Sequence, residues 1–107
     1  IGQLRFRSGD YHGAVTAFSH AVLLSPTEAS FGDRAVAAFY NGEYELAIRD
    51  CTEVISRNPD HARAFFLRSV AYERLGIAFQ AAADREVAFR LNPSLAGMRS
   101  HPRQAQR

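Results

Sequence analysis

Residues 65–93 read FFLRSVAYERLGIAFQAAADREVAFRLNP. Gly76 separates two stretches in which apolar residues return every three or four positions, and Pro93 closes the second. That spacing belongs to amphipathic helices, glycine suits the left-handed residue that ends a helix, and proline stops one. The stretch therefore predicts helix, Gly turn, helix, Pro turn.

Outward from it the same punctuation recurs. Asn92-Pro93 is preceded by Asn58-Pro59 and Ser25-Pro26, with prolines 34 and 33 residues apart. Seventeen residues before each proline lie Gly9, Gly42 and Gly76, and twelve before lie Ala14, Ala47 and Ala81. Ala21, Val54 and Ala88 stand five before, and Val22, Ile55 and Phe89 four before. A fixed period of this length marks stacked supersecondary units. Thr27, Asp60 and Ser94 follow the prolines and are predicted to cap the next helices, because their side chains accept from free helix N-terminal amides. Phe31 is five residues after Pro26 and Phe65 six after Pro59, so the shorter interval loses its residue in the turn between the first two blocks.

These residues resemble the tetratricopeptide repeats, whose unit is a helix pair. The family pattern is met by Phe65, Arg68-Ser69, Tyr72, Ala81 and Pro93, and by Phe31, Arg34-Ala35, Ala47 and Pro59. The first block supplies Gly2, Gly9, Tyr11, Ala14, Phe18, Ala21 and Pro26. Ala38, Cys51, Arg85 and Ala78 depart from it. The resemblance implies an all-α fold of antiparallel helix-turn-helix repeats stacked as a right-handed α-solenoid, with about six helices and a short C-terminal segment. Residues 1–93 are expected to form this domain as blocks 1–26, 27–59 and 60–93, with 94–107 a partial helix and a basic tail.

Close approach of two helices requires small facing residues, the role expected of Ala14, Ala47, Ala81, Ala35 and Ser69, while Phe18, Phe31, Phe65 and Tyr72 fill wider gaps between hairpins. Glu45 and Arg49, Glu53 and Arg57, and Glu86 and Arg90 are spaced as helix-surface ion pairs. The start at Ile1 and the weak terminal caps read as a window cut from a longer array, with exposed apolar surface at the last helix and self-association through uncapped terminal helices as the expectation.

Composition narrows the function classes. The 107 residues are 47% apolar and 22% charged, with a formal charge of +2 and pI near 9.1. No apolar run is long enough to span a membrane. All 13 basic residues are Arg, yet residues 1–93 hold 10 Arg against 11 acids, so the basic excess belongs to the tail and nucleic acid is not the expected partner. The single Cys51 takes the register of Phe18 and reads as a buried structural thiol rather than a nucleophile served by His12, His20 or His61. A reducing, cytoplasmic location fits one cysteine. Metal-ligand spacing and Gly-rich phosphate loops are lacking, so no enzyme, metal or cofactor is expected.

The resemblance implies a partner peptide on the concave face lined by the first helices. Taking the stripe opposite the packing residues, the groove is expected to comprise Gln3, Phe6 and Arg7, then Asp33, Val36, Phe39 and Tyr40, then Arg63, Phe66, Val70, Glu73 and Arg74. The chain also looks like the co-chaperone subset that grips the C-terminal carboxylates of Hsp70 and Hsp90. Arg63 keeps one cation of that clamp, but Gln3 and Asp33 stand where it carries Asn and Leu67 where it carries Arg. Asp33 would repel a carboxylate and Leu67 removes a bidentate donor, which argues against those tails. The expected function is a non-catalytic peptide-binding adaptor or co-chaperone-like scaffold, with structural self-assembly as the alternative.

Overall fold

The computed structural model describes residues 2–96. Six helices follow in order: α1 (Gly2–Arg7), α2 (Tyr11–Leu24), α3 (Glu28–Tyr40), α4 (Tyr44–Arg57), α5 (Ala62–Arg74) and α6 (Ala78–Leu91). They pair as α1/α2, α3/α4 and α5/α6, and each pair packs on the next, giving an all-α solenoid that measures 45 × 29 × 24 Å.

Gly9, Gly42 and Gly76 turn each pair with φ of 87°, 81° and 78°, the left-handed region that a side chain would strain. Across each turn the residue after the glycine donates its N–H back five residues: Asp10 to Arg5 O, Glu43 to Ala38 O and Ile77 to Tyr72 O. At the other ends Ser25, Asn58 and Asn92 close α2, α4 and α6 by donating to Ala21, Val54 and Ala88 O, and proline follows each.

The caps differ from expectation at one turn. Thr27 caps α3 in a reciprocal box with Ser30. Asp60 does not cap α5; His61 does, its Nδ1 accepting from the Ala64 N–H at 3.1 Å. The extra residue in this turn moves the first helical residue one place further from the proline, and leaves Asp60 exposed. Ser94 donates its hydroxyl to Asn92 Oδ1. The partial helix and tail expected beyond it lie outside the described residues from position 97.

Small residues occupy the tightest contacts. Ala14, Ala35, Ala37, Ala38, Ala47, Ala71, Ala81 and Ser69 are all within 1% of full burial. Gly2 holds the register of Ala35 and Ser69, and a methyl there would come within 2.6–2.9 Å of the Phe18 ring. Half-buried aromatics, including Phe18, Phe31 and Phe39, pack against these small residues. Of the three expected surface pairs, Glu53–Arg57 closes, at 2.5 Å. Phe79, 83% exposed, and Leu91 leave apolar surface on α6.

Two buried ion pairs were not anticipated. Arg34 holds Asp50 in a fork, Nε to Oδ2 and Nη2 to Oδ1, each 2.8 Å. Arg68 holds Asp84 identically at 2.7 and 2.8 Å. Each Arg also points Nη1 at a hydroxyl of the preceding hairpin: Arg34 at Ser19, Arg68 at Thr52. The signal was in the sequence, since both Arg–Asp pairs are 16 residues apart and 34 residues from each other.

Candidate functional site

A groove of about 930 Å³ runs between α3 and α5. Eight of the twelve residues expected from sequence line it: Asp33, Val36, Phe39, Tyr40, Arg63, Phe66, Val70 and Arg74. Val36 and Val70 hold one register in the two first helices, as do Tyr40 and Arg74, so the repeat itself places them on one face. The other four lie off it. Gln3 and Arg7 are exposed on α1. Phe6 packs on Tyr11 and Tyr40, with centroids 5.3 and 5.4 Å apart, and so supports a groove wall from behind. Glu73 is drawn away by an ion pair with Arg85 of α6.

Sequence reasoning missed the floor and one rim. Cys51 and Val54 of α4 form the floor. They are reached because Gly32 stands in the register of Phe66 and has no side chain to cover them; its nearest neighbour would be Val54 Cγ2, 3.9 Å from an added Cβ. A glycine facing a bulky residue in the equivalent register is the signal that could have revealed this opening. The missed rim is Thr27, Glu28 and His61. There the Asn58 side-chain amide donates to Glu28 Oε2 at 3.1 Å, and His61 Nε2 lies 3.6 Å from the same oxygen.

The far end of the groove is aromatic. Tyr40 stacks on Tyr11 at 5.4 Å, Phe39 meets Tyr44 edge-on at 5.5 Å, and the Arg74 guanidinium lies 5.1 Å from the Phe39 centroid. A cation over an aromatic face is held there by the ring quadrupole. Among the described residues neither Arg63 nor Asp33 has an ion pair. Asp33 is exposed at the groove mouth, and the desolvation that the groove walls impose pushes its carboxyl above its usual range. Burial pushes the Cys51 thiol up to about 12, which keeps it protonated and unreactive near neutral pH. The arrangement offers apolar walls, fixed aromatic rings and separated charges, the equipment for holding a polypeptide segment.

No helix among the described residues is long and apolar enough to cross a membrane. The tetratricopeptide-repeat family profile matches residues 33–95. The chain is 33% identical over 78 residues to a TPR repeat-containing thioredoxin of Arabidopsis thaliana, covering 72% of this chain and 11% of that protein, so it corresponds to about a tenth of that relative's length. Among solved structures, it superposes with a TM-score of 0.81 and 28% identity on the second TPR domain of human RPAP3 in complex with an HSP70 peptide, covering 86% of this chain and 78% of that one. It also superposes with a TM-score of 0.81 and 25% identity on the first TPR of Spaghetti (RPAP3) bound to the HSP90 peptide SRMEEVD, covering 86% and 74%. With the repeat registers, the helix pairs and the profile in agreement over more than half its length, the chain belongs to the tetratricopeptide-repeat family.

Proposed function

We propose that this chain is a non-catalytic protein-interaction module that receives a peptide segment of a partner protein in the α3–α5 groove. The observation that carries the reading is the groove itself, about 930 Å³ of largely apolar wall, with Arg63, which has no ion pair among the described residues, near one end of α5 and Arg74 beside Phe39 at the other. Such a concavity between helices of adjacent pairs, rimmed by a few polar groups, is where ligands of helical proteins bind. The peptide complexes of the two RPAP3 domains support the same use of the fold.

The test is a fluorescence anisotropy titration of nine-residue peptides against the wild-type chain, Phe66→Ala and Arg63→Glu. Peptides that bind the wild type are expected to lose about tenfold or more in affinity on either variant, with the thermal melt of Arg63→Glu unchanged because Arg63 is exposed. Equal affinities for all three chains would move the site elsewhere. A second reading, self-assembly, is favoured by Leu23, Leu24 and Phe79, each more than 80% exposed. Light scattering separates the two: the adaptor stays monomeric while the groove binds, whereas an assembly segment grows with concentration and ignores Phe66→Ala.

A further inference from the structure

We infer that Asp33 makes the groove select a basic side chain, so that its ligand is a peptide segment carrying Lys or Arg between apolar residues. The inference rests on the groove reading above and specifies the ligand of that site.

Asp33 lines the groove without an ion pair or a side-chain hydrogen bond among the described residues. The other acids nearby are engaged: Glu28 with Asn58 and His61, and Glu73 with Arg85. Asp33 and Leu67 each lie nine residues before their turn glycine, so the facing helix presents an apolar side chain at this level. Arg63 stands about one helical turn before that level on α5 and Arg74 about two turns beyond it. Along α3 and α5 the order is therefore a mixed level of Glu28 and Arg63, then the negative Asp33, then the positive Arg74, with apolar side chains between.

A carboxylate flanked by apolar groups and lacking a counter-charge gains most from a cation brought by a ligand, and is most unfavourable to a second carboxylate. The upward shift of the Asp33 pKa, which desolvation causes, agrees with that unmet demand. An ammonium or guanidinium placed on Asp33 forms a charge-assisted hydrogen bond, while its apolar neighbours cover Val36, Val70 and Phe66. An acidic residue on one side would meet Arg74, whereas Arg63 shares its level with Glu28. This order is the reverse of an acidic tail such as SRMEEVD, whose glutamates and terminal carboxylate would bring like charge to Asp33.

The experiment uses an array of nine-residue peptides whose central residue is Lys, Gln or Glu and whose flanks are drawn from Leu, Val, Phe and Glu, with SRMEEVD alongside. Solution titrations follow against the wild-type chain, Asp33→Asn and Asp33→Lys. The expected result is a preference of about tenfold or more for central Lys over central Glu in the wild type, reduced to about twofold by Asp33→Asn and reversed by Asp33→Lys. Circular dichroism confirms that each variant is folded. Indifference to the central charge, a preference for Glu or SRMEEVD in the wild type, or a Lys preference that survives Asp33→Asn overturns the inference and leaves the groove reading standing. Failure of every peptide to bind the folded wild type overturns both.

Discussion

The first hairpin and the two that follow share a backbone plan but are held differently. In α3/α4 and α5/α6 a buried guanidinium forks onto a carboxylate, with Asp50 2% and Asp84 9% exposed at the side chain. In α1/α2 the corresponding registers are Ile1 and Ala17, and the ion pair there is Arg5–Asp10 at the surface, 51% and 44% exposed. The first hairpin is tied to the fold by its neighbour instead: Arg34 reaches back to Ser19 at 3.4 Å, as Arg68 reaches back to Thr52 at 3.1 Å. Each bracket thus closes its own hairpin and points to the one before it. Stability in such stacks is shared between units and interfaces, and the first hairpin has the contact from Arg34 but no buried fork of its own among the described residues.

The sharpest way to break the contrast is to remove one arginine. Arg34→Met leaves Asp50 buried without its partner, and urea denaturation is expected to show a loss of about 3–5 kcal/mol, against less than about 1 kcal/mol for Arg5→Ala at the surface pair. Replacing both partners, Arg34→Met with Asp50→Leu, should recover much of the loss, because an apolar pair leaves no charge uncompensated. Equal effects at Arg34 and Arg5 would remove the distinction between the hairpins.

Packing gives the next test. Ala47 is fully buried between α4 and its neighbours, so Ala47→Leu should destabilise the whole stack by about 1–3 kcal/mol. Gly2→Ala also overpacks, against Phe18, yet α1 has six residues and buries Gly2 alone among them. The expected signature is faster hydrogen exchange of the α1 amides with little change in the global midpoint. A midpoint shift equal to that of Ala47→Leu would show that α1 is as firmly joined as the later helices.

The position filled by Phe18 in the first hairpin is Cys51 in the second, which adds a titration to the comparison. Its thiol sits at about 12 in the fold against an ordinary 9.0. Between those values the unfolded chain releases the proton while the folded chain keeps it, so stability falls as pH rises above 9 and the fall ends near 12. The expected loss between pH 9 and 11 is about 2 kcal/mol more than in Cys51→Val, which carries the same tyrosines but no thiol. Parallel alkaline profiles for the two chains would contradict this.

The helix pairs, their turns and most of the groove were legible because they follow from the register of residues in a single chain. Gly9, Gly42 and Gly76 need a left-handed backbone, and Val36 and Val70 share a face by repetition alone. What stayed hidden depends on contacts between helices. Glu73 holds a groove register but pairs with Arg85, twelve residues on and across a turn, and no periodicity within α5 reveals that. Likewise Cys51 and Val54 reach the groove only through the space left by Gly32. The Arg34–Asp50 and Arg68–Asp84 pairs fall between these cases, since matching charges at matching registers could have been sought across the hairpin as well as along each helix.

The smallest effect distinguishes the two turns that enter the later hairpins. One residue fewer after Pro26 places Thr27 at the α3 N-terminus, where its hydroxyl accepts from the Ser30 N–H and Ser30 Oγ accepts from the Thr27 N–H. One residue more after Pro59 hands the same task at α5 to His61 and leaves Asp60 outside it. Thr27→Ala should therefore lower stability by about 1 kcal/mol, while Asp60→Ala should change it by less than about 0.5 kcal/mol. His61→Ala should cost less than Thr27→Ala, because the Ala64 N–H loses His61 Nδ1 but keeps the backbone His61 O at 3.1 Å, while the substitution also ends the contact with Glu28 at the groove rim. If thermal melts place Asp60→Ala beside Thr27→Ala instead, the extra residue has not moved the cap, and the two turns are equivalent in solution despite their different lengths.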